Sequence, residues 1–102
     1  MRDEPLDEDL PIDLARELTE EKATALRRIG EHLQGILDRI GELRSALAAA
    51  HGARRASLVA EHDALIDEAE VWAWYLVVQR EAIGLTTHDE ILAAYPIPSR
   101  LG

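Results

Sequence analysis

A heptad pattern of apolar residues runs through the middle of the chain and restricts what it can fold into. From residue 26 to residue 50, apolar side chains recur at alternating spacings of three and four, which is typical of a helix with one buried seam. The pattern stops at Gly52, a residue type that readily adopts the left-handed conformation that closes a helix. We therefore predict a first helix over residues 13–50, with Asp13 as its N-cap. The seam residues are Leu26, Ile29, Leu33, Ile36, Ile40, Leu43, Leu47 and Ala50.

A second stripe of the same period predicts a second helix over residues 54–83, closed by Gly84. Thr87 and Glu90 have the spacing of a capping box, which predicts a short third helix over residues 88–95. We expect an all-α fold: a long antiparallel helical hairpin plus a short C-terminal helix. Folding at Gly52 places Leu33 opposite Trp72 and Gly30 opposite Trp74. The alternative is one continuous rod through Gly52, because a single glycine costs a helix only about 1 kcal/mol relative to alanine.

The length of 102 residues suits a single domain. Residues 1–12 are rich in carboxylates and contain two prolines, so we expect an acidic flexible N-terminal segment. Residues 13–102 form the helical domain in this interpretation. The first helix is longer than the second, and we expect the third helix to pack against its overhang near residues 14–18.

Charge and composition limit the functional classes. The net charge of −9 argues against nucleic acid and anionic membrane surfaces, because both require clustered Lys and Arg. No apolar run approaches the roughly 20 residues that span a bilayer. The chain contains no cysteine, which is consistent with a reducing compartment. We expect a cytoplasmic protein that binds neither nucleic acid nor membrane.

Residues 71–78 are all apolar and contain both tryptophans of the chain. A helix that is apolar on every side needs cover on every side, and a two-helix hairpin cannot provide it. We therefore predict a homo-oligomer, most simply a dimer whose hairpins form a four-helix bundle. The predicted interface consists of Leu33, Ile36, Leu37, Ile40, Trp74, Tyr75 and Val78.

Candidate ligand sites are few in this sequence. His62 lies at a seam position among carboxylates, but the Glu-x-x-His pattern of di-metal bundles does not occur. Arg80, Glu81 and His88 form a polar corner next to Gly84. This corner either holds a small anion or a partner chain, or it ties the third helix to the second. We assign no catalytic residue, cofactor or metal.

Three functions remain in competition. The first is a non-enzymatic, homo-oligomeric structural or interaction module. The second is an adaptor that binds a different protein through a surface at Trp74 and Tyr75, with the acidic N-terminal segment steering the encounter. The third is a small-ligand or metal-binding bundle with its site at His62 or at the Arg80 and His88 corner.

Two blocks of the sequence carry a resemblance to known proteins. They consist of residues 14–18, 21–26 and 72–81, followed by Gly84, Leu85, His88, Tyr95, Ile97 and Pro98. Through these residues the chain resembles a family of short bacterial helical proteins of unknown function. The resemblance implies a compact helical domain and brings no activity, cofactor or partner.

Overall fold

The computed structural model describes residues 12–102, so the expected acidic segment lies outside the described residues except for Ile12. Two long helices pack against each other and a short third helix follows, which confirms the all-α hairpin. The helices are α1 (Ile12–Leu47), α2 (Gly52–Ala82) and α3 (Asp89–Ala93). Within the described residues, neither long helix contains a stretch apolar enough over a sufficient length to cross a membrane.

The turn between α1 and α2 is tighter than the sequence predicts. The α1 helix ends at Leu47 rather than at residue 50, and the backbone amides of residues 48–50 bond to the carbonyls three residues earlier. The Leu47 carbonyl, which accepts the Ala50 N–H, also accepts a hydrogen bond from Arg55 Nη1 of α2 at 3.0 Å. Gly52 has a φ of +58°, the left-handed conformation expected of it. At the other end, α1 begins at Ile12, so Asp13 lies in the first turn instead of at the N-cap position.

The core consists of two apolar clusters along the α1–α2 seam. One cluster joins the end of α1 to the start of α2, and the other joins residues nearer the middle of both helices, as the antiparallel register predicted from the turn requires. An exposed ion pair from Arg39 Nη2 to Glu61 Oε1 at 2.9 Å joins the two helices in the same register. The first cluster contains Leu33, Ile36, Ile40, Ile66 and Ala69, and the second contains Leu43, Leu47, Ala50 and Leu58.

The end of α2 is a Schellman motif at Gly84. Gly84 has a φ of +93°, its N–H donates to the Glu81 carbonyl, and the Leu85 N–H donates to the Arg80 carbonyl, both at 3.0 Å. The start of α3 differs from the prediction. Its N-cap is His88, not Thr87, and the predicted capping box does not form within residues 12–102.

The segment after α3 turns back along the hairpin. Tyr95 and Ile97 pack against the cluster around Leu33. The expectation that Gly30 faces Trp74 is wrong, because Tyr95 occupies that place: a Cβ built on Gly30 would lie 2.5 Å from the Tyr95 hydroxyl. The polypeptide that covers the hairpin is therefore the extended segment of residues 95–102, while the start of α1 projects past α2 with Ile12 exposed.

Candidate functional site

The most prominent exposed feature is an apolar stripe on α2, formed by Val71, Trp74, Tyr75 and Val78. These residues are spaced i, i+3, i+4 and i+7, so they share one face of the helix. Val71 is 62% exposed, Trp74 65% and Tyr75 40%, whereas Val78 is half-buried. We name this stripe the Trp74 surface. The structure thus leaves Trp74 and Tyr75 uncovered by the rest of the described chain.

Trp72 borders the Trp74 surface and also packs on the hairpin core. Its ring lies 4.1 Å from the His32 imidazole, centroid to centroid, and 5.7 Å from the Tyr75 ring in an edge-on arrangement. Trp72 also packs against the cluster around Leu33. The Tyr75 ring therefore packs against a half-buried neighbour at one side of the Trp74 surface.

A shallow depression of about 320 Å³ lies on the Trp74 surface, lined by Val71, Trp72, Trp74 and Tyr75. Its lining offers few polar groups. Small-molecule sites fix their ligands with several convergent polar groups, and this depression does not have them. Its chemistry suits an apolar side chain from another polypeptide.

The structure separates the predicted interface residues into two groups. Leu33, Ile36 and Ile40 are buried in the hairpin, with Leu33 fully inaccessible, and Leu37 is partly buried against the same cluster. Their burial follows from the seam pattern, since a and d positions face the partner helix of the hairpin first. A second subunit could reach these three α1 side chains only if the hairpin opened. Apart from the partly buried Leu37, the accessible part of the predicted interface lies on α2.

The polar corner brings two of its three predicted residues together. Arg80 donates from Nε to His88 Nδ1 at 3.3 Å and from Nη2 to the Thr87 carbonyl at 2.9 Å. The first bond makes Nδ1 an acceptor, so the imidazole proton sits on Nε2 in the neutral ring. That Nε2 is buried and has no hydrogen-bond partner within the described residues. Glu81 is exposed. The corner attaches α2 to the start of α3.

A second polar cluster, which the sequence does not predict, surrounds His62. This histidine is fully buried. Arg44 of α1 donates from Nε to His62 Nε2 at 3.1 Å, so the ring proton lies on Nδ1, which donates to Asp63 Oδ1 at 2.8 Å. Both ring nitrogens therefore have hydrogen-bond partners within the hairpin, and the His62 ring links Arg44 to Asp63. We name Arg44, His62 and Asp63 the His62 triad.

The His62 triad holds the C-terminal segment by its backbone. Asp63 accepts the backbone N–H groups of Leu101 and Gly102, both at 2.9 Å, and Arg44 Nη2 donates to the Ser99 carbonyl at 3.0 Å. The Leu101 N–H and the His62 ring are the main causes that hold the pKa of Asp63 below its usual value. The adjacent His62 and Asp63 are the one hint of this site in the sequence, and no local pattern places residues 99–102 beside them.

Within residues 12–102, no group of three or more His, Asp or Glu side chains is arranged to hold a metal ion. No family model, curated protein or solved structure matches the chain. The resemblance to short bacterial helical proteins therefore stays a prediction.

Proposed function

We propose that this protein is a non-enzymatic helical module that forms a two-fold dimer through the Trp74 surface. The observation that supports this proposal is the exposure of Trp74 and Tyr75 on a face that α3 and the C-terminal segment leave open. Large aromatic side chains are enriched in protein interfaces, where they contribute much of the binding energy. The proposal includes a cytoplasmic location, because a chain without cysteine is consistent with a reducing compartment.

The spacing of the stripe suits self-pairing. If two copies of α2 cross antiparallel about a two-fold axis between Trp74 and Tyr75, Val71 meets Val78 of the partner subunit. Trp74 then meets Tyr75 of the partner subunit, and the pattern repeats by symmetry. The two hairpins would together place four helices side by side, with α2 in the centre. Because α1 already buries its seam within its own hairpin, the dimer contact falls mainly on α2.

The four side chains of the stripe alone would form a small interface compared with the roughly 800 Å² per partner of a standard one. A further exposed apolar residue, Leu85, follows the end of α2. We therefore include it in the proposed contact.

The oligomeric state in solution tests the proposal directly. We expect light scattering at micromolar concentration to give twice the mass of one chain for the wild-type protein, and one chain for the Trp74→Ser/Tyr75→Ser double variant. Ile12→Ser is the matched control, because Ile12 is 78% exposed and lies outside the Trp74 surface. A folded, monodisperse wild-type monomer would refute the dimer.

The adaptor function uses the same surface with a different protein as its partner. Two results together would favour the adaptor. The wild-type protein would be monomeric and would co-purify with another protein from native lysate, and the double variant, but not Ile12→Ser, would lose that protein. The two proposals thus share a surface and differ in the occupant.

A further inference from the structure

The last residues of the chain lie on the hairpin in the manner of a bound peptide. Residues 96–102 contain two prolines, Pro96 and Pro98, which favour an extended backbone and have no N–H that needs a partner. Ile97 between them inserts against the core cluster around Leu33. This segment is outside any helix, so its place is determined by its contacts with α1 and α2.

Contacts from both helices recognise the segment residue by residue. The Ser99 carbonyl receives a hydrogen bond from Arg44, and the consecutive amides of Leu101 and Gly102 donate to the two oxygens of Asp63. The Arg100 guanidinium forms an ion pair with Asp67 and lies 3.6 Å from Glu70. Backbone contacts of this kind give affinity in peptide recognition, and side-chain contacts give sequence preference.

The final position also selects by size. A Cβ built on Gly102 would lie 3.2 Å from Asp63 Oδ2 and 3.3 Å from Val59 Cγ1, which is tighter than ordinary contact. A side chain at this position would push against the carboxylate that binds the amide. The site therefore favours a small residue after the leucine.

Two of the receiving groups, Arg44 and Asp63, are also connected to each other through His62. His62 is fully buried and bonded to both Arg44 and Asp63, so it links an α1 side chain to an α2 side chain across the seam. Prearranged groups reduce the entropy lost when a ligand binds. The two prolines likewise restrict the conformations of the segment before it binds.

We propose that the surface formed by Arg44, Asp63, Asp67 and Glu70 is a peptide-binding site for an extended, proline-stiffened segment of the pattern Ile-Pro-Ser-Arg-Leu-Gly. Its resident ligand is residues 97–102 of the same chain. The same segment supplied separately binds at the same place once the resident copy is displaced. This proposal does not depend on the dimer at the Trp74 surface.

The experiment uses the full chain carrying Arg100→Glu, in which the new carboxylate meets Asp67 and Glu70 and releases the resident segment. The probe is a fluorescently labelled peptide with the sequence of residues 95–102, followed by anisotropy. We expect saturable binding to the Arg100→Glu protein. Binding to the wild-type chain should be about a hundredfold weaker, because the tethered segment competes at a high effective concentration.

Two controls identify the site. A peptide carrying the same Arg100→Glu change should not bind, and Asp63→Asn added to the Arg100→Glu protein should weaken binding of the unchanged peptide. NMR spectra of the Arg100→Glu protein report whether the amides of Leu101 and Gly102 have left Asp63. If they have left and the peptide does not bind, the proposal is wrong. It is also wrong if these amides stay in place, or if both peptides bind equally well.

Discussion

Gly30 is packed so closely against Tyr95 that an added methyl group would collide with the Tyr95 side chain. A Cβ there would lie 2.5 Å from the Tyr95 hydroxyl, and the Tyr95 ring packs against the core cluster and cannot retreat freely. We expect Gly30→Ala to lower the free energy of unfolding by about 1 kcal/mol. Overpacking costs about 1–3 kcal/mol, and the better helix propensity of alanine returns about 1 kcal/mol. Urea unfolding measures the difference.

Gly41 provides the matched control for this prediction. A Cβ at Gly41 meets open space within the described residues, so Gly41→Ala should raise the free energy of unfolding by up to about 1 kcal/mol. In a Tyr95→Phe background the clash of Gly30→Ala should shrink, because the nearest remaining ring atom is 3.3 Å away. Equal gains from Gly30→Ala and Gly41→Ala in the wild-type background would show that Tyr95 does not occupy this place.

Asp63 is the residue whose ionisation is most clearly coupled to the fold. The amides of Leu101 and Gly102 and the His62 ring keep its pKa below the ordinary value of about 3.9. A carboxyl with a lowered folded pKa stabilises the protein above its unfolded pKa, and this contribution disappears as the pH falls through the folded value. We expect urea unfolding at a series of pH values to show part of this loss below about pH 4.

The variant Asp63→Asn should be less stable than wild type at neutral pH and should lack that part of the acid dependence. Asp38→Asn is the isosteric comparison, since Asp38 accepts a hydrogen bond from Gln34, one turn earlier on the exposed side of its own helix. A variant at Asp63 that keeps the full neutral-pH stability would mean that the C-terminal segment is not held by this carboxylate.

The α1 helix is covered by the rest of the described chain along only part of its length. Residues at the start of α1 project beyond α2, with Ile12 and Leu14 exposed, whereas Ile29 to Leu47 contribute the buried seam. Unpaired helix in water is marginally stable, since tertiary packing supplies most of its stability. We expect NMR hydrogen exchange to be fast for the amides of residues 14–20 and slow for those of residues 33–43.

Strong protection at residues 14–20 would contradict this picture of the overhang. It would mean that another surface covers the start of α1 in solution. Repeating the measurement with the Trp74→Ser/Tyr75→Ser variant separates the two cases: protection that this variant abolishes comes from association through the Trp74 surface.

The long helices could be predicted from the sequence because their signals are local and repeated. The seam from Leu33 to Leu47 fixes both the helix and its buried face, and Gly52 and Gly84 mark the two turns with positive φ angles. The C-terminal segment could not be placed in this way. Its position depends on Tyr95 meeting Gly30 and on backbone amides meeting Asp63, which are contacts between residues far apart in the sequence.

The described part of the chain, residues 12–102, is long and narrow. It measures 71 × 21 × 20 Å, and its Cα radius of gyration is 19.4 Å, compared with about 13 Å for a compact domain of 100 residues. A shape of this kind has much surface for its volume and gives each helix few neighbours. The exposed Trp74 surface is one consequence, and the use of an extended segment to cover the hairpin is another.

For such a molecule, association should contribute measurably to stability. If unfolding is coupled to dissociation of a dimer, a tenfold rise in protein concentration raises the apparent free energy of unfolding by about 1.4 kcal/mol. We expect the wild-type thermal midpoint to rise with concentration, as followed by circular dichroism. The midpoint of Trp74→Ser/Tyr75→Ser should not change, while Ile12→Ser should behave as the wild type does. A wild-type midpoint that is independent of concentration would mean that a single chain is stable without association. The C-terminal segment bound at Asp63 would then be the main tertiary contact that stabilises the fold beyond the α1–α2 seam.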